Sequence, residues 1–160
     1  MKLEETVVEL LKKHGLKLTT IESCTAGAIA ARIVDVPGAS EVFEQGFVTY
    51  SNEAKMRAVK VQAITLEKYG AVSKECAGEM AVGGLLAARA DIAVSVTGFA
   101  GPSGGREAPV GTVFIGCGFS EDLQVREYHL QGGRSHVREK AVVCALEQLR
   151  DYLSEHFKHL

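Results

Sequence analysis

Ser23, Cys24 and Thr25 place three nucleophile-type side chains side by side in the stretch "TIESCTAGAIAARI", residues 20–33. A hydroxyl or thiol at a strand-to-helix corner is presented at the edge of a sheet. The helix behind it offers unpaired N–H groups and a positive dipole end, which can hold an oxyanion or a phosphate. A plain helix cap uses the same residue types, and the spacing departs from the G-x-S-x-G elbow. In "TYSNEAK", Tyr50 ends an extended run and Lys55 falls in the first turns of a helix. The helix dipole disfavours a cation there, which pushes the amine toward the neutral form that a general base needs. A solvated lysine fits the same pattern. In "TGFAGPSGG", Gly98, Gly101, Gly104 and Gly105 allow main chain to approach a ligand closely. That stretch lacks the P-loop ending and the dinucleotide fingerprint, so a long inter-strand loop is the simpler alternative. In "GGRSHVR", Arg134 and Arg138 lie one helical turn apart, suited either to clamping an anion or to a solvated face.

The elements that must position these residues follow from periodicity. Residues 3–13 have helical apolar spacing, closed by His14-Gly15. Residues 16–23 read as a strand and 24–34 as a helix. Residues 43–51 alternate and are rich in β-formers, a second strand, followed by a short helix over 52–60. Ser73 caps a helix within 71–90. Residues 91–98 form a buried strand and 99–109 a glycine-rich loop. Residues 110–119 and 123–131 make a hairpin around Ser120-Glu121-Asp122, and a closing helix runs from Arg134. Strands alternating with helices, then two strands in succession, predict a three-layer α/β domain with a mixed sheet. In such sheets ligands sit at the carboxyl ends of strands, where all four motifs would converge.

Composition narrows the class. The 160 residues are 46 % apolar and 24 % charged with net charge −2, which suits one globular domain and gives no electrostatic footprint for nucleic acid. No apolar run is long enough for a membrane span, and the amphipathic N-terminus is unlike a signal peptide, so a cytoplasmic location is expected. Cys24, Cys76, Cys117 and Cys144 form no CxxC pair, and the last three are expected as buried reduced thiols. No His/Cys or His/Glu spacing reads as a metal site. A homo-oligomer is compatible with the sequence.

The blocks "ESCTAG", "GFVTYSNEAK", "GAVSKECAGEMA", "DIAVSVTGFAGPSGG", "PVGTVFIG" and "GGRSHVRE" resemble, in the same order, the CinA C-terminal family of nicotinamide mononucleotide deamidases. The resemblance covers nearly the whole chain from Leu16 onward. It implies one domain over residues 1–160, a three-layer αβα fold with a mixed, mostly parallel five-stranded sheet. It also implies the stand-alone form, without the molybdopterin-binding-like domain of longer members. Family catalytic roles then fall on Ser23, Tyr50 and Lys55, with Ser23 as nucleophile and Lys55 as the base that takes its proton directly or through Tyr50, and with Cys24 as a packing residue. Thr25, Gly27, Thr97, Gly98, Gly101, Gly104, Arg134 and Arg138 become the positions expected to hold a nucleotide substrate, Thr25 also as a cap. The reaction implied is hydrolysis of the carboxamide to nicotinic acid mononucleotide and ammonia through an acyl-serine, with no metal or cofactor. The alternatives are a non-catalytic nucleotide-binding or regulatory module connected with competence or damage, and an amidase for another small amide. Ala26 stands where the family usually has the first of two glycines. Alanine takes helical angles readily, so a mild effect is expected there.

Overall fold

The structure, a computed structural model, describes residues 1–159. The helices are α1 (Leu3–Lys13), α2 (Ala28–Val34), α3 (Asn52–Val59), α4 (Ala63–Tyr69), α5 (Lys74–Ala88) and α6 (Arg134–His156). The strands are β1 (Leu18–Glu22), β2 (Phe47–Val48), β3 (Ile92–Gly98), β4 (Thr112–Gly118) and β5 (Gln124–His129). They form one five-stranded sheet in the order β2-β1-β3-β4-β5. β1 pairs in parallel with β2 and β3, while β3–β4 and β4–β5 are antiparallel. β4 therefore runs against the other four strands, and the sheet is mixed but mostly parallel in direction. This is the three-layer architecture that the alternation of elements predicts.

Each face of the sheet has its own apolar core. Val7, Val8 and Leu11 of α1, Ile29 and Ile33 of α2 and the buried stripe of α6 pack on Leu18, Val94, Val96, Val113 and Ile115. On the other face Val59 of α3, Leu66 of α4 and Cys76, Met80, Ala81 and Leu85 of α5 pack on Ile21 and Ala93. The period-2 alternation of strand side chains assigns Leu18 and Ile21 of one strand to opposite cores. Within the second core α5 comes close enough that only glycine fits. A Cβ on Gly83 would overlap the Val59 carbonyl of α3, and one on Gly84 would overlap the Ile21 side chain. These contacts let α3, which carries Lys55, sit tight against the sheet.

Three expectations change. The second helix begins at Ala28 rather than at residue 24, because Ala26 (φ +49°) and Gly27 (φ +92°) both take left-handed angles. Residues 23–27 form two tight turns, with Ala26 N–H donating to Ser23 O and Ala28 N–H to Thr25 O. The left-handed angle at Ala26 also replaces the mild effect expected of a right-handed helical alanine: it costs roughly 1–2 kcal/mol in a residue with a Cβ. The second strand shrinks from residues 43–51 to Phe47–Val48. It is an edge strand whose ladder to β1 is broken after the single Leu18–Phe43 bridge, and Gly46 tucks under Thr20 in the gap. Helix α4 was not expected at all. Its N-terminus is capped from α5, where Glu79 accepts from Gln62 N (2.8 Å) and Thr65 Oγ1. The Ser73 cap of α5 is as predicted, its hydroxyl accepting from Cys76 N at 3.1 Å.

Two substitutions test these contacts by thermal or urea denaturation. Ala26→Gly relieves the left-handed strain at some cost in unfolded-chain entropy, for a net gain of up to about 1 kcal/mol. Gly83→Ala forces α5 off the main chain of α3 and is expected to lose about 1–3 kcal/mol.

Candidate active site

Ser23 directly follows β1, and its N–H still pairs with Val96 O, so it extends the parallel ladder by one residue. Thr49 and Tyr50 directly follow β2, and Ser51 caps α3 by accepting from Ala54 N at 3.1 Å. The chain crosses from β1 to β2 through α2 and from β2 to β3 through α3, α4 and α5. Those helices lie on opposite faces, so the strand order reverses at β1 and a crevice opens beyond the carboxyl ends of β1 and β3. Lys55 reaches into it from the first half of α3. Its side chain is 1 % exposed, and Nζ lies 3.1 Å from Ser23 Oγ, 2.9 Å from Thr49 O and 3.3 Å from Tyr50 O.

The electrostatics weaken the hold of Lys55 on its proton. Burial pushes the Lys55 pKa below its ordinary value, and the neighbouring Cys76 and Cys24 thiols act in the opposite direction. Burial raises those thiols to about 12 and about 11, so at neutral pH neither carries the negative charge that would stabilise an ammonium. No carboxylate pairs with Lys55 among the described residues. A neutral amine has two N–H donors and one lone pair. As placed, Nζ donates to the Thr49 and Tyr50 carbonyls and to Ser23 Oγ; once the amine is neutral its two donors keep the carbonyls, and the lone pair is free to accept from the Ser23 hydroxyl. Cys24, 5 % exposed and held protonated, packs in the core as expected.

The turn behind Ser23 is held from two sides. Glu22 is buried, and its carboxylate accepts from Thr25 Oγ1 (2.7 Å), Ile29 N (2.9 Å) and Ala30 N (3.1 Å). Arg138 donates from Nε to Cys24 O (2.8 Å) and from Nη2 to Thr25 O (3.4 Å). These bonds revise three expectations. The N–H groups of α2 are taken by Glu22 and are not free for a ligand. Thr25 is fully buried, donates to Glu22 and does not line the crevice, so its hydroxyl makes an internal bond in place of either expected role, substrate contact or helix cap. Arg138 braces loop carbonyls, so it and Arg134 do not form one clamp. Gly27 serves the turn through its positive φ, outside the crevice. The N–H groups of Cys24, Thr25 and Gly27 make no hydrogen bond among the described residues.

The crevice has a volume of about 390 Å³, with Ser23 and Lys55 at its floor and Thr97, Gly98, Gly101 and Arg134 in its walls. Gly98 lies against Val113 and the Thr112 carbonyl with no room for a Cβ, and Thr97 Oγ1 donates to Ala71 O at 2.8 Å. Gly104 lies beyond the lining, packed on the main chain of residues 108–110. Arg134 donates to Gly101 O and, over 3.2 Å, to the Tyr50 hydroxyl. Tyr50 is 62 % exposed and its phenol bonds neither Ser23 nor Lys55; what Lys55 uses is the Tyr50 carbonyl. Sequence reasoning missed Glu22, Asn52, Phe99 and Ser103. The last three line the crevice, and only Glu22 had a signal, a carboxylate at the end of an otherwise uncharged strand. No helix among the described residues is long and apolar enough to cross a membrane.

The geometry can be set beside known proteins. The family model described as the CinA C-terminal domain matches residues 1–153. A CinA-like protein of Thermotoga maritima is 49 % identical over 153 residues, covering 95 % of this chain and 37 % of that protein. A CinA-like protein of Kosmotoga olearia is 48 % identical over 149 residues, covering 92 % of this chain and 36 % of its own length. The chain thus spans little more than a third of these curated relatives. Among solved structures, a competence-damaged protein (CinA) superfamily protein of Klebsiella pneumoniae superposes with a TM-score of 0.93 at 36 % identity, covering 96 % of each chain. The competence/damage inducible protein of Agrobacterium tumefaciens gives 0.88 at 39 % identity, covering 94 % of each. With one family model matching nearly its whole length and the same fold in these neighbours, the chain belongs to the CinA C-terminal domain family.

Proposed function

We propose that this domain is an amidohydrolase that converts nicotinamide mononucleotide to nicotinic acid mononucleotide and ammonia. The observation that carries the reading is the buried Lys55 amine, 3.1 Å from Ser23 Oγ with no acidic partner. The substrate follows from the family resemblance of the motifs around it. Ser23 attacks the carboxamide carbon as its proton passes to the Lys55 lone pair. The Cys24 N–H, unpaired and next to the nucleophile, is the donor we assign to the tetrahedral oxyanion. The ammonium form of Lys55 then returns the proton to the departing amine, and ammonia leaves. Water, deprotonated by the regenerated amine, cleaves the acyl-Ser23 ester. Tyr50 serves as a wall and an orienting group for Arg134, since its phenol accepts from the guanidinium. For the substrate phosphate we favour Arg134 and the start of α6. That helix has no side-chain cap, so its first N–H groups and positive dipole end remain available to an anion.

Ammonia release from nicotinamide mononucleotide, beside nicotinamide and nicotinamide riboside, is the direct test. Turnover of the mononucleotide is expected, and binding without turnover would favour a regulatory nucleotide-binding module. Ser23→Ala should abolish release while the fold persists; activity lost in Cys24→Ala instead would move the role to the thiol. Because only the neutral amine accepts the serine proton, kcat/KM should rise with pH through an apparent pKa below that of a free lysine. Lys55→Arg should be nearly inactive at every pH, as a guanidinium does not deprotonate in this range. An arginine variant that kept most of the rate would show that charge, not basicity, matters.

The riboside comparison reads the phosphate. A charge-assisted hydrogen bond contributes roughly 1.5–3 kcal/mol, so kcat/KM for the riboside should be lower by about 10- to 100-fold. Arg134→Ala should erase most of that difference. Equal kcat/KM for the two compounds in the unaltered protein would show that these groups do not read the phosphate.

A further inference from the structure

We propose that Glu22 is the positioning residue of this site: its buried carboxylate holds the turn that presents Ser23 to Lys55. The inference rests on the reading of Ser23 as the nucleophile.

Consecutive residues at the end of β1 face opposite sides of the sheet. Leu18 belongs to the core of α1, α2 and α6, and Ile21 to that of α3, α4 and α5. The same alternation sends Glu22 toward α2 and Ser23 toward α3, as their hydrogen bonds confirm. One residue therefore anchors the chain on one face while its neighbour is displayed on the other.

The anchor is a costly one. Among the described residues no cation lies within ion-pair distance of Glu22, and its side chain is fully buried. A buried charge without a counter-ion depends on every hydrogen bond it accepts. Its donors are Thr25 Oγ1, Ile29 N and Ala30 N, so the carboxylate ties the end of β1 directly to the start of α2. An N-cap side chain would satisfy those N–H groups more cheaply, but the cap position is Gly27 and carries none. Between the tied ends lie Ala26 and Gly27, both left-handed. Successive residues in that region persist only where the surroundings over-determine them. Glu22 does so from beneath the turn, and Arg138 from the α6 side.

A glutamine at this position has nearly the same shape but one acceptor oxygen. Its NH2 group must then face one of the three donors. The turn relaxes, and Ser23 moves relative to Lys55 while the crevice walls stay in place. The experiment uses the full chain with Glu22→Gln and Thr25→Val, measuring steady-state ammonia release, thermal denaturation and the crystal structures of both variants. Glu22→Gln is expected to lower kcat about 100-fold with little change in KM, the loss that a misplacement of about 1 Å produces. In its crystal Ser23 Oγ should lie outside hydrogen-bond distance of Lys55 Nζ. Thr25→Val removes a single donor and should show a smaller kcat loss with the same unchanged KM. A lowered melting temperature with unaltered kcat and an intact Ser23–Lys55 contact would make Glu22 merely structural and overturn the proposal. If Glu22→Gln does not fold, Thr25→Val decides on the same readouts. If the unaltered protein hydrolyses no amide, the amidohydrolase reading fails on its own. The Ser23–Lys55 distance in the variant crystals then still decides the positioning role: separation supports it and retention overturns it.

Discussion

Burial of the Lys55 amine against Ser23 is the constraint on which the rest of the site depends. An ammonium taken out of water needs a counter-charge, and the surroundings offer only two carbonyls, a hydroxyl and two thiols that burial keeps protonated. With no counter-charge beside it, the buried amine gives up its proton more readily than a lysine in water. That condition reaches far from the site. It requires α3 to lie close to the sheet, which the paired glycines of α5 permit beside the fully buried Cys76 and Met80.

The two faces of the sheet divide the work. The face of α3, α4 and α5 supplies the base and the apolar surroundings that lower its proton affinity. The face of α1, α2 and α6 supplies the restraint on the nucleophile. Helix α6 serves both ends of the crevice with arginines one turn apart. Arg138 holds the Ser23 turn through main-chain carbonyls, and Arg134 spans from the glycine loop to Tyr50. Two side chains of one type and four residues of spacing thus have unlike duties, set by which loop each happens to face.

Much of the fold was legible before any coordinates. Helices α1, α5 and α6, strand β3 and the β4–β5 hairpin carry strong periodicity or a recognisable cap, and they lie where the pattern puts them. The elements misjudged are those whose local signal was overridden from elsewhere. The alanine-rich run after Ser23 suits a helix, yet Glu22 and Arg138 hold its first residues in left-handed turns. The β-formers of residues 43–51 suit a strand, yet an edge position and the Gly46 contact leave only two residues paired. Helix α4 depends on a cap donated from α5. In each case the deciding partner is distant in sequence or invisible to periodicity.

The same division applies to the chemistry. Residue types alone marked Ser23, Lys55, the glycine loop and the two arginines, because a hydroxyl, an amine and close-approach glycines at successive strand ends are chemically legible in any order of reading. The motif blocks supplied the family. What the chain could not show was which of these groups meet. Ser23 and Lys55 are 32 residues apart and touch because β1 and β2 are neighbours, whereas the Tyr50 phenol turns away to Arg134 and Thr25 turns inward to Glu22. A weaker hold of Lys55 on its proton was anticipated from its place near a helix start, but burial, the main cause in the structure, is brought in by folding. Side-chain chemistry is a property of the residue and can be read along a line; proximity and desolvation are properties of packing and exist only in three dimensions.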